Sequence, residues 1–145
     1  MRHTIKTLML TASLLALPVT AHAHTNHCKD TQLGDQMKSL KENFKTYRQA
    51  LSEENWQQMA QARAEMQNLA TAAGDEQPLK MHDLPADQHP QMMQEYQQGL
   101  AKLNDLFDQL AQAEQAQNAD AAADLVGLIG QHSKQSHESM RKDCD

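Results

Sequence analysis

The sequence predicts an all-α fold, an antiparallel up-down-up-down four-helix bundle, and three observations carry that prediction. Apolar residues recur at alternating steps of three and four over four separate stretches. No stretch shows the period of two that a half-buried strand needs, and Gly, Pro, Ser or Asn stand where the helical pattern breaks. Outside a leader the chain keeps about 120 residues, enough for one domain around one core.

The first helix is expected over residues 30–51, where Leu33, Met37, Leu40, Phe44, Tyr47 and Leu51 form a seam between Lys, Gln, Asp, Glu and Asn. Ser52 is the expected N-cap of a second helix that carries Trp56, Met59, Ala62, Met66, Leu69 and Ala73 on one face and ends at Gly74. Between Gly74 and Pro90 the period fails and Pro78, Pro85 and Pro90 mark a long polar connection. A third helix is expected over residues 91–116, with Met92, Tyr96, Leu100, Leu103, Phe107 and Leu110 inward. Asn118 is the expected cap of the fourth, in which Val126, Ile129, Ser133, His137 and Met140 share a stripe flanked by Leu125, Leu128 and His132.

Residues 1–23 have the parts of a secretory signal: a basic start at Arg2 and Lys6, an apolar run too short to span a bilayer, and Ala21-His22-Ala23 as a small-x-small cleavage pattern. Residues 24–145 are then one exported domain, expected in the periplasm, as a monomer and without membrane insertion. Loss of Arg2 and Lys6 takes the basic residues from 13 to 11 against 19 acidic ones, and the net charge from −6 to −8. That balance argues against nucleic acid, which demands basic patches, and leaves room for a basic protein partner. The two cysteines, Cys28 and Cys144, sit at opposite ends of the exported chain. An antiparallel bundle of four helices brings those ends together, so a disulfide between them is expected.

Two residues carry chemistry when taken as a pair. Met37 on the first helix and His137 on the last lie on elements that are neighbours in such a bundle, at heights matched to about one turn from the shared end. A thioether opposite an imidazole is an axial pair for haem iron. Singly, each has a plainer reading: methionine fills gaps in helical cores, and a lone histidine on a helix usually faces solvent.

The chain resembles the soluble periplasmic cytochrome b562 family. Leu33-Gly34-Asp35-Gln36-Met37-Lys38-Ser39-Leu40-Lys41-Glu42-Asn43 is similar to the family's first helix, whose axial methionine stands at Met37. The spacing from Gly99 to His137 fits without a gap and puts His137 where the axial histidine stands, with Arg141 one turn on. The resemblance covers residues 29–142. It implies a non-covalent haem b, an aromatic against the haem at Tyr96, an arginine near a propionate at Arg141, and one-electron transfer between redox partner proteins. Ser133 stands where the family often has an arginine, and Leu100 replaces a second aromatic. No Cys-x-x-Cys-His segment is present, in keeping with haem held without thioether links.

Two other readings stay open in the sequence. Cleavage after Ala23 exposes an α-amine with His24 and His27, and His82, His89 and Met81 fall near the same end, a donor set that suits copper or another metal. A cofactor-free bundle in which Met37 and His137 merely pack is the third. An enzyme is not expected, because no nucleophile stands beside a base and the carboxylates are scattered along solvated faces.

Overall fold

Residues 31–140 are the part of the chain that the computed structural model describes. They form α1 (Gln32–Ser52), α2 (Trp56–Ala73), α3 (His89–Gln115) and α4 (Ala119–Met140), with no strand among them. The signal over 1–23, and with it His24, His27, Cys28, Arg141 and Cys144, lies outside the described residues.

Helix α1 opens on Thr31, whose hydroxyl accepts from the Gly34 backbone N–H at 3.0 Å, with Asp35 in the first turn facing the positive helix end. It runs one residue past the expected stop and takes in Ser52, which corrects the expected cap of α2. The Ser52 hydroxyl donates back to the Gln49 carbonyl at 2.7 Å, and the side chain that caps α2 is Asn55, accepting from Gln58 N–H at 3.1 Å.

The physical reason is a three-residue reversal. Glu54 adopts φ 49, the left-handed conformation, so that its N–H reaches the Leu51 carbonyl and the Asn55 N–H reaches the Ala50 carbonyl at 2.8 Å. This is a helix stop of the Schellman type with glutamate where glycine is usual. The turn between α3 and α4 repeats it: Gln117 has φ 49, the Asn118 N–H reaches the Ala113 carbonyl at 2.9 Å, and the Asn118 side chain caps Ala121 N–H at 3.0 Å.

The connection from α2 to α3 holds two short 3-10 turns, Leu79–Asp83 and Ala86–Gln88. Helix α3 begins at His89, earlier than its proline suggested, because Pro90 falls in the first turn, where no helical N–H partner is needed. The His89 ring nitrogen Nε2 meets the Leu84 carbonyl at 3.0 Å.

Most of the core joins Tyr47 and Ala50 of α1, Met59 and Met66 of α2, Phe107 and Leu110 of α3, and Ile129 of α4. One ion pair is enclosed with them. Arg63 Nε donates to Glu114 Oε2 at 2.9 Å, and Glu114 keeps only 8 % of its surface exposed. The fully buried Tyr47 hydroxyl lies against the same carboxylate. Tyr47 Oη and Glu114 Oε1 are both buried without a hydrogen-bond partner. Burial first, then the Glu114 charge, holds the Tyr47 hydroxyl well above the usual tyrosine range. Arg63 also donates to Gln67, whose amide donates to Asp108 at 2.7 Å, so the polar chain continues along α2 and α3.

Candidate functional site

A second, smaller cluster lies apart from this core. Ala73 from the end of α2 and Tyr96 and Leu100 from the start of α3 are its buried members. Leu33 and Met37 from the start of α1, Met93 of α3 and Met140 from the end of α4 pack on them half-buried. One end of the molecule therefore collects the start of α1, the end of α2, the start of α3 and the end of α4. Met37 is placed in that cluster; Met93, rather than the expected Met92, is the α3 methionine that packs there.

Tyr96 is held by both its ends. Its ring belongs to the cluster, and its hydroxyl donates to the Ala73 carbonyl at 2.6 Å, a group that the end of α2 leaves without a helical partner. Burial, with a smaller contribution from Glu76, pushes its pKa up to about 12. Gln97 Nε2 donates to the next carbonyl, Gly74, at 2.8 Å. The start of α3 is thus strapped to the end of α2, and the face of Tyr96 is fixed.

Helix α4 sits differently. It packs extensively on α3 and only sparsely on α1, the least populated of the contacts between neighbouring helices. With about 100° per residue and the buried Ile129 as the inward direction, His132 lies about 60° to one side and His137 about 80° to the other. His132 marks the α3 side, since its Nε2–H donates to the Gly99 carbonyl at 2.8 Å. A carbonyl only accepts, so Nε2 carries the proton.

His137 is therefore on the flank of α4 turned toward α1. It is exposed and makes no hydrogen bond among the described residues. This corrects the expected inward stripe: Ile129 is buried, Ser133 and Met140 are half-buried, and His137 borders the stripe from outside. Leu128, expected as a flank of the stripe, is half exposed.

The end thus offers a half-buried thioether on α1, an unengaged imidazole on the facing flank of α4, and an apolar lining of Leu33, Met93, Tyr96, Leu100 and Met140 between them. Met37 and His137 are brought to the same end, but His137 stands outside the cluster that holds Met37. Arg141 lies just beyond the described residues. A groove between α3 and α4, lined by Lys102, Leu106, Leu128 and His132, has a volume near 180 Å³. That is below the roughly 300 Å³ at which small-molecule pockets begin.

For the other metal reading, His82 is exposed and His89 is engaged with Leu84. No group of three or more His, Cys, Asp or Glu that could hold a metal occurs among the described residues. No described helix is long and apolar enough to cross a membrane.

Sequence reasoning missed three residues at or near this end and one away from it. His132 gave no signal, because a hydrogen bond to a helical carbonyl leaves no mark on a pattern. Lys80 and Met93 belong to a segment start and a register that proline obscured. Glu114 did leave one: it falls on the inward step after Leu103, Phe107 and Leu110, and a carboxylate there requires a buried cation.

A bundle of four helices in which α4 packs only sparsely on α1, with a thioether and an imidazole carried to one end, has the form of a cofactor carrier. Comparison with known families agrees. The model of the family described as cytochrome b562 matches residues 32–141, and the chain belongs to that family. Its members are electron-transfer haem proteins, generally not enzymes, and haem is the cofactor the family implies. No curated protein matches the chain.

Proposed function

We propose that the chain is a periplasmic b-type cytochrome that carries one electron at a time, with Met37 and His137 as the axial ligands of a single non-covalent haem. The observation that carries this reading is His137, unengaged on the flank of α4 that faces α1, at the end where the Met37 thioether packs. The sparse packing between α1 and α4 is the seam through which a flat group would enter, and the residues there fit one. Leu33, Met93, Leu100 and Met140 supply apolar contact, and Tyr96, fixed by its bond to Ala73, supplies an aromatic face.

Haem, when bound, would supply an iron that cycles between ferrous and ferric states, with Met37 and His137 holding it. The chain does the rest. His137 would supply an imidazole nitrogen, Met37 a soft sulfur that favours the reduced state, and the apolar cluster would limit the access of water. The family resemblance assigns Arg141 to a haem propionate. The helices run antiparallel, up-down-up-down, which the gathering of alternate helix ends into one cluster supports. In this reading residues 1–23 are the leader, residues 24–145 act as a monomer between redox proteins, and a Cys28–Cys144 disulfide joins the ends of the bundle.

The test is a pair of spectra, oxidised and reduced, on protein purified from a haem-replete periplasm. A sharp low-spin b-type spectrum that is lost in Met37→Ala and in His137→Ala is the expected result. A colourless protein that takes up no added haemin overturns the reading.

A further inference from the structure

Lys80 belongs to the connection between α2 and α3, far in sequence from α4, yet its Nζ donates to the Ser139 carbonyl at 2.9 Å. That carbonyl lies in the last described turn of α4. Ser139 stands two residues after His137 and one before Met140, which packs on the cluster with Met37. The bond thus sets a lysine ammonium at the end of the molecule where Met37 and Met140 pack. It uses one of three donors, and its partner is neutral. The side chain also stands on a fixed base: Pro78 before it is buried, and the neighbouring Met81 keeps only 6 % of its surface exposed.

Haem has two carboxylates, which must stay at the wet rim of an apolar slot and are best met there by cations. Ser133, half-buried and without a charge, lies one turn before His137 on the same flank of α4. We propose that Lys80 binds a haem propionate, so that a residue of the α2–α3 connection, and not only the last helix, supplies positive charge to the cofactor. The proposal rests on the haem reading above. Because the connection is anchored by Pro78 and Met81, little further ordering is needed when the carboxylate arrives.

Haemin and its dimethyl ester, which lacks the carboxylates, separate this role from a purely structural one. The affinities of both are measured for the full chain and for Lys80→Ala and Lys80→Arg, with far-ultraviolet circular dichroism as the check on folding. The expected result is a loss of about tenfold in haemin affinity for Lys80→Ala, an unchanged affinity for the ester, and near-complete recovery in Lys80→Arg. Equal losses for haemin and ester mean that Lys80 only clamps the connection onto α4, and unchanged haemin affinity means that it does neither; both overturn the proposal. A parent chain that binds haemin, together with either of those outcomes, leaves the haem reading standing. A parent chain that binds neither compound removes the haem reading and this proposal with it.

Discussion

Arg63→Ala is expected to destabilise the protein by about 3 kcal/mol, the largest effect of a single substitution away from the cofactor end. Glu114 is then buried with 8 % of its surface exposed, one oxygen without its cation and the other already without a partner. Breaking a buried ion pair costs about 3–5 kcal/mol. The low end applies because the Arg63 side chain keeps 17 % of its surface exposed, so the pair is not fully dry.

Against a domain stability of about 5–15 kcal/mol this is a large fraction. At about 4 °C per kcal/mol for a chain of this size it lowers the melting temperature by about 12 °C. Replacing the whole set, Tyr47→Phe with Arg63→Met and Glu114→Leu, removes the charges and the orphaned hydroxyl together. It is expected to bring stability back to within about 1 kcal/mol of the parent or above it. Urea unfolding of the haem-free protein, followed by circular dichroism, measures both. A loss under about 1 kcal/mol in Arg63→Ala, or a triple variant as unstable as the single one, would refute the reasoning.

Tyr96 governs the alkaline limb. Its pKa rises from about 10 when unfolded to about 12 in the folded chain, so its contribution is fully present below pH 10 and is lost as pH climbs through 12. The loss amounts to roughly 2–3 kcal/mol, and a pH series on Tyr96→Phe should show that part of the decline gone. Glu54→Gly and Gln117→Gly each relieve a side chain held at φ 49 and should raise stability by about 0.5–1 kcal/mol; a fall in either would show that the side chain itself is needed. His132→Ala removes the strap from α4 to the Gly99 carbonyl and should cost about 1 kcal/mol in thermal unfolding. His132→Gln, which keeps a donor, should recover most of that cost.

The helices were readable because their apolar spacing and their breaks agree. Glycine and proline bracket the α2–α3 connection, and Asn118 names the start of α4. The first turn was misread for a specific reason: a left-handed stop normally shows itself as glycine, and here Glu54 occupies it, so Ser52 looked like the cap. In α1, an apolar seam told which face is turned inward but not how closely a neighbour covers it. Leu33, Met37, Leu40 and Phe44 are only half-buried, because α4 stands off from α1. The same spacing drew His137 inward on the helical stripe, whereas a rotation fixed by His132 and Gly99 turns it to the flank. Met37 and Tyr96 were placed from the pattern; the straps at Ala73, Gly99 and Ser139 are backbone carbonyls, which no side-chain pattern records.

The open seam between α1 and α4 also bears on how long the chain survives. A ligand that binds only the folded state stabilises it in proportion to the logarithm of its concentration over its dissociation constant. A protein with one seam between helices sparsely packed opens there more often and is cut more readily by proteases while it is empty. In the haem reading, the chain's abundance in its compartment would follow the supply of its cofactor, with no dedicated regulator: unloaded molecules are cleared, and loaded ones persist.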